Sequence, residues 1–382
     1  MTPDAIVVGG GIVGLSAARE LAGLGARVVV VERRRVGEEA SSAAAGMLAP
    51  QVHADADTPL LELSLRARDR HLALAGELEA ETGISVEISS LGALDIAFTD
   101  EDERALGARL AWQRGHGLPV EALTADEIRQ AEPNVNPAVR GGALVNGDRR
   151  LDNVRLVRAL AASAVTRGAS LLCGRPVTAL LVEDGRMAGV RTGAEILRAP
   201  VVVNAAGAWA GRLEGDPEPP PVEPVRGQIA TFVVAPALLR HVVWSARGYL
   251  VPRPDGRLLA GTTLENAGFD KSVTAGGLRT VLDIALEIAP RLVDIPIVDT
   301  WAGLRPATPD GWPILGPGAV PGLFHAAGLY RNGILLGPLA GESVARLALG
   351  RPPGVDLAPY AVTRFRAPGP ASFCPASSRP IS

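Results

Sequence analysis

Lysine is almost missing from this sequence. Lys271 is the only one in 382 residues, and arginine carries nearly all the positive charge. Schiff-base chemistry and a phosphate-binding P-loop both need a lysine, so neither has a foothold away from position 271. Cysteine is scarce as well. Cys173 and Cys374 alone make no disulfide framework, which fits a reducing cytoplasm. Cys173, in the apolar run SLLCG, reads as a small buried hydrophobe. Five scattered histidines lack the paired spacing of a zinc site, so no metal is expected. A net charge of −3 offers no field for nucleic acid or an anionic membrane. The small apolar segment 5–18 is stopped by Arg19 and Glu20, short of the ~20 residues a membrane span needs. No basic residue precedes it, as a secretory signal would require. What remains is a chain 47% hydrophobic and long enough for two domains.

The residues that are abundant at the N-terminus are glycines. Ala5 to Val8 read as a buried parallel strand, and Gly9-Gly10-Gly11-Ile12-Val13-Gly14 fits G-x-G-x-x-G. Ile12, Leu15, Ala18, Leu21 and Ala22 recur at helical spacing, with Gly25 as the stop. Val28 to Val31 give a second strand that ends in Glu32. Gly9 allows the tight turn, Gly11 lets a pyrophosphate approach the backbone, and Gly14 lets helix and strand pack closely. The phosphates would sit on unpaired N–H groups at the helix start. Glu32, about 20 residues on, is placed for the ribose hydroxyls of an adenosine. An acid there argues against a 2′-phosphate, although Arg33, Arg34 and Arg35 follow at once. Those arginines read equally as a solvated loop.

Further along, Glu39 to Gln51 is a run of small residues, open to close approach by a flat ligand or simply a flexible loop. Pro59 to Glu81 read as an amphipathic helix, and a helix opened by Thr99 or Asp100 follows a strand. Asp184-Gly185 marks a hairpin between Val177–Val182 and Met187–Arg191. Val201 to Val203 form another strand, with a small-residue turn at Ala205-Ala206-Gly207. The prolines of 217–224 mark a boundary. Beyond them lie segments that read as antiparallel strands but alternate poorly. The fold class is α/β: a Rossmann-like nucleotide-binding domain with an inserted mixed β-sheet domain. The nucleotide domain is expected at 1–85, 150–220 and 300–366, the inserted domain at 86–149 and 221–299, and a disordered tail at 367–382.

Five segments carry a resemblance: the N-terminal fingerprint, SSAAAGM, VVVNAAG, WAGLRPATPDGWPILG and GLYRNGILLGPLAG. Together they resemble the FAD-dependent amine oxidases of the D-amino-acid oxidase superfamily. AAAGML, YLVPR, AGLRP and RNGILL are most similar to the glycine oxidases of thiamine biosynthesis. The resemblance spans roughly residues 4 to 350 and implies FAD. It implies Ile12 and Val13 at the pyrophosphate, Glu32 and Arg33 at the ribose, and Ala40, Ser41, Ala45, Gly46 and Met47 against pyrophosphate and flavin. Val177 is implied at adenine, and Leu329, Tyr330, Arg331, Asn332, Gly333, Ile334 and Leu335 around the isoalloxazine. The N–H groups opening the last helix would face the flavin edge that gains charge on reduction. For substrate, it implies that Arg305 forks onto a carboxylate, with Arg331 and Tyr249 as further contacts. Leu264 matches a pocket methionine, and Leu329 stands where relatives often carry histidine. Relatives with covalent flavin use a cysteine near the last motif. Neither cysteine lies there, so FAD is expected to be noncovalent.

The implied reaction is oxidative deamination of glycine, sarcosine or small D-amino acids. Hydride passes from Cα to flavin N5, the imine hydrolyses, and O2 reoxidises the flavin to give H2O2. No protein group is nominated as a base; the cofactor carries the electrons. The partners are a small amino acid and O2, with no nucleic acid and no membrane. The family often forms homotetramers. A D-amino-acid dehydrogenase passing electrons to a carrier, a sarcosine oxidase-like enzyme, a non-catalytic flavin module and a nicotinamide dehydrogenase stay open as alternatives. The last leaves RNGILL and SSAAAGM without a purpose.

Overall fold

The computed structural model describes residues 2–52 and 54–366. Ala5–Val8 is fully buried at the centre of a six-stranded sheet, paired in parallel with Val28–Val31 on one side and Val201–Asn204 on the other. A strand covered on both faces needs a continuous apolar run, which is what these three segments supply. Ser170–Leu172 and Leu323–Ala327 extend the parallel set, and Ile314–Pro317 closes one edge in antiparallel. The chain turns at Gly9, whose φ of 105 belongs to the region glycine favours. The helix Ile12–Gly23 then starts at once. It packs on the helices Asn153–Thr166 and Gly333–Ala348. A side chain at Gly341 would stand 2.5 Å from the Val13 carbonyl, so glycine there sets how closely the two helices approach.

The second sheet has eight strands, running from the edge strand Ile297–Ala307 through Glu223–Val233, Arg257–Gly261, Tyr249–Pro252 and Val242–Trp244 to Ala93–Ala97, Gly141–Val145 and Glu121–Thr124. All its pairings are antiparallel except that of Val242–Trp244 with Ala93–Ala97. Leu250, Leu258 and Ala260 pack with Val281, Ile284 and Ile288 of the helix Ala275–Ile288. Their neighbours Tyr249, Val251 and Leu259 pack on the other face with Ala45 and Val52 of the nucleotide domain. Both faces are therefore apolar, which explains the weak alternation in the sequence. The Thr99 hydroxyl accepts from Asp102 N in a capping box, so the helix Asp100–Gly115 is opened by Thr99.

Two expectations change. The boundary drawn at 300 falls inside the strand Ile297–Ala307, because that strand stays paired with Glu223–Val233 along its length. Cys173 is exposed, since it lies just past the end of Ser170–Leu172, an edge strand. The tail at 367–382 lies outside the described residues. No described helix is long and apolar enough to cross a membrane.

Between the sheets lies a buried polar knot. The Asp148 carboxylate accepts from Gln51 N and from Val52 N at 3.0 Å, with the Arg68 guanidinium 4.0 Å away. Burial pushes Asp148 up to about 7 and its neighbour Asp95 up to about 6. A carboxyl raised in the folded state adds stability that is full below its unfolded pKa and fades as pH rises through the folded one. For Asp148 that window runs from about 4 to about 7. We expect Asp148→Asn, which cannot titrate, to gain in Tm on the wild type as pH is raised from 5 to 8, in scans at fixed ionic strength. A difference that is flat with pH would contradict the assignment.

Candidate active site

One cavity, about 1020 Å³ of empty space counting its open mouth, runs between the two sheets. At one end is the start of the helix Ile12–Gly23. A Cβ at Gly14 would overlap the carbonyl oxygen of Gly9, so helix and strand can meet this closely only through glycine. Ile12 N donates to Ser41 Oγ at 3.0 Å, tying the helix start to the small-residue loop. Glu32 closes this end. Its carboxylate accepts from Gly10 N at 2.7 Å and from Arg34 N at 2.9 Å. Arg33 pairs with Glu39 and lies over the Trp209 ring, 3.4 Å from its centroid.

The middle of the wall is Ala40 to Met47 on one side and Leu329 to Ile334 on the other. Trp301 donates to the Ala43 carbonyl at 2.9 Å, fastening the loop to the second sheet. Opposite, Tyr330 has φ 46. A bulky residue in the left-handed region costs about 1–3 kcal/mol and persists only where packing enforces it. The helix Gly333–Ala348 begins three residues later, so its unpaired N–H groups open on the cavity. His71 supports it from behind, donating from Nε2 to the Ile334 and Leu335 carbonyls at 3.0 Å. Burial lowers His71 to about 4, which keeps the ring neutral.

The far end is cationic. Arg305 donates from Nη2 to Thr262 Oγ1 at 2.7 Å and from Nη1 to the Thr263 carbonyl at 3.2 Å. Among the described residues no carboxylate lies within ion-pair distance of it. It keeps some accessibility because it lines the cavity, yet burial pulls its guanidinium below the usual range. Burial likewise pushes the Tyr249 phenol up, and Arg305 pulls it back. Arg331, exposed at the mouth, adds a second positive charge.

Fifteen of the residues singled out from sequence thus line one cavity: Gly11, Ile12, Val13, Ala40, Ser41, Ala45, Gly46, Met47, Tyr249, Arg305, Leu329, Tyr330, Arg331, Gly333 and Ile334. Gly9 and Gly14 lie beneath it, and Glu32 and Arg33 sit beyond its end. Val177 packs with Val8 and Val31, on the far side of Glu32's strand. Asn332 caps the last helix through its backbone, and Leu335 is buried in the core rather than on the wall. Leu264 is a correction: it is exposed and off the wall, because its loop leaves the sheet after Gly261.

Gly227, Thr262 and Thr263 escaped the sequence reading. A Cβ at Gly227 would occupy the place of the Arg305 guanidinium. Glycine inside a strand does signal close approach, and GQIATFVV carries that signal. We expect Gly227→Ala to displace Arg305 and lower kcat/KM for the amino acid on the order of a hundredfold, with the rise mostly in KM. Wild-type steady-state kinetics would show that this arginine rotamer is not the binding one.

The residues present fit FAD. The cavity starts at a helix N-terminus beside Glu32 and runs along a mainly apolar wall to a second helix N-terminus. A family model described as FAD dependent oxidoreductase (DAO) matches residues 4–347. The chain is 37% identical over 365 residues to the glycine oxidase of Geobacillus kaustophilus, covering 94% of this chain and 97% of that protein. It superposes on a crystal structure of glycine oxidase from G. kaustophilus with a TM-score of 0.90, covering 95% of this chain and 99% of that one. It is also 37% identical to the bifunctional protein ThiO/ThiG of a Nostoc species, over 91% of this chain and 53% of that protein.

Proposed function

The chain belongs to the FAD dependent oxidoreductase (DAO) family, and from that premise we propose that it oxidatively deaminates glycine. The observation that carries the substrate is Arg305: a guanidinium with no carboxylate partner among the described residues, beside the Tyr249 hydroxyl, in a mainly apolar cavity. Such a group is complementary to the carboxylate of a small zwitterion.

FAD, when bound, supplies two-electron acceptance from the amine and delivery to O2. It would be held by Gly9 to Gly14, Glu32, Arg33, Ser41, Ala45 to Met47 and the start of the helix Gly333–Ala348, with Val177 near its adenine. Among the described residues no cysteine lines the cavity, which supports noncovalent attachment. The chain's own residues bind and orient. Arg305 forks onto the substrate carboxylate, and Tyr249 donates its hydroxyl to the same group. With the carboxylate fixed at that end, Cα is directed into the slot between Gly46 and Ile334. Arg305 and Arg331 disfavour an ammonium close by, so the substrate amine loses its proton more readily. Among the described residues the wall contains no Asp, Glu, His, Lys or Cys, and we assign that proton to water. Ile229 and Met47 narrow the slot and favour substrates with little or no side chain.

The resemblance and the ThiO/ThiG match support a place in thiamine biosynthesis, and the resemblance supports a homotetramer. The two cysteines support a reducing, cytoplasmic setting. The test is H2O2 yield with glycine under air, where one H2O2 per glycine consumed is expected. Turnover that requires an added electron carrier and leaves no peroxide would instead make it a dehydrogenase.

A further inference from the structure

Arg253 follows the strand Tyr249–Pro252 in the segment YLVPR and is only 4% exposed, yet among the described residues no carboxylate lies within ion-pair distance of it. Its Nη1 donates to the Leu151 carbonyl, and its Nη2 donates to the Ala45 carbonyl at 2.9 Å and to Asn153 Oδ1 at 2.8 Å. Asn153, 2% exposed, donates in turn from Nδ2 to the Ser41 carbonyl at 2.8 Å and the Ser42 carbonyl at 3.1 Å. Arg253 stays charged at neutral pH, since burial lowers it only to about 10. Asp152 and Asp255 act on it only from beyond ion-pair distance, and a buried cation without a direct ion pair is costly, so its work is to be sought in what it holds.

It holds carbonyls. Three of them, from Ser41, Ser42 and Ala45, are drawn to this pair, which lies behind the loop and is not part of the cavity wall. A peptide is planar and trans, so fixing the Ala45 C=O fixes the Gly46 N–H in the opposite direction. Gly46 lines the cavity, and its N–H has no partner within the protein among the described residues. Ala45 and Met47 on either side pack with Ile229, Tyr249 and Trp301, which puts this peptide at the flavin end and not the adenosine end.

We propose that Arg253, braced by Asn153, is a positioning residue that locks the Ala45–Gly46 peptide with its N–H toward the flavin ring and its carbonyl away from it. Without the lock the carbonyl is free to turn and present an acceptor where a donor is needed. The inference rests on the reading that this cavity takes FAD.

The test compares two ligands on apoprotein. FAD reports both ends of the site, and ADP reports only the Gly9–Gly14 and Glu32 end. For Arg253→Met we expect the FAD Kd to rise about tenfold, as for loss of one charge-assisted hydrogen bond, with the ADP Kd unchanged within about twofold. Arg253→Lys, which keeps the charge but not the planar fork, should fall between. If Arg253→Met does not fold, Asn153→Ala carries the same expectation. An FAD Kd equal to wild type overturns the proposal. So does a parallel rise in the ADP Kd, which would make Arg253 a general structural residue. Wild-type apoprotein that binds no FAD would sink the reading of the site itself, a result distinct from either.

Discussion

Arg305→Ala should lose about 2–5 kcal/mol of transition-state stabilisation on glycine, the range for truncating one partner of a desolvated charge pair. The size follows from the surroundings. Arg305 is fixed by Thr262 and Thr263 against the bare backbone of Gly227, so it pays little to be ordered at the moment of binding. With it gone, the substrate carboxylate would enter a mainly apolar slot with the Tyr249 hydroxyl and the more exposed Arg331 at the mouth to meet it. Both KM and kcat should suffer, because the same contact that binds glycine also aligns Cα. FAD content should stay at the wild-type level, since the residues assigned to the cofactor are untouched. Normal turnover by this variant would remove Arg305 from the site.

Gly14→Ala should produce a protein that is both less stable and unable to keep FAD. Its Cβ would overlap the Gly9 carbonyl, which belongs to backbone directly following the central strand and tied by Gly9 N to the Val31 carbonyl. The helix must move away, and overpacking of this kind costs about 1–3 kcal/mol or more. That shift would also withdraw the N–H groups we propose for the pyrophosphate. Gly333→Ala is the control. No atom lies within 4 Å of a Cβ built there, and the residue is already helical, so the apoprotein should keep its Tm. The pair separates glycines needed by the fold from a glycine facing open space. Gly14→Ala protein isolated with full flavin and wild-type Tm would contradict the close-packing account.

The nucleotide end was open to sequence reasoning because its signals are local. Strand, glycine turn, helix and acid follow one another between Ala5 and Glu32, and each element's partner is the next. The substrate end was not. Arg305, Gly227 and Tyr249 come from three strands of one sheet, and Thr262 follows directly on a fourth, all brought together by antiparallel pairing over long separations. Only the resemblance pointed to Arg305 and Tyr249. Gly227 and Thr262 have no meaning until the register is known. The strands themselves were hard to place because both faces of that sheet are buried, which removes the period-two signal. Leu264 and Cys173 failed for a related reason. Cys173 was read as core from its apolar run and Leu264 was placed in the pocket by resemblance, but both lie past a strand's end, where the chain meets solvent.

The central claim is that a flavin and a small amino acid share one cavity, with Arg305 anchoring the carboxylate. Anaerobic titration of the purified protein with glycine, followed through the visible absorbance of the flavin, tests it most directly. Saturable bleaching is expected for the wild type, with sarcosine and D-alanine as comparisons, and none at the same concentrations for Arg305→Ala. A colourless protein, or a flavin that none of the three amines reduces, would contradict the account.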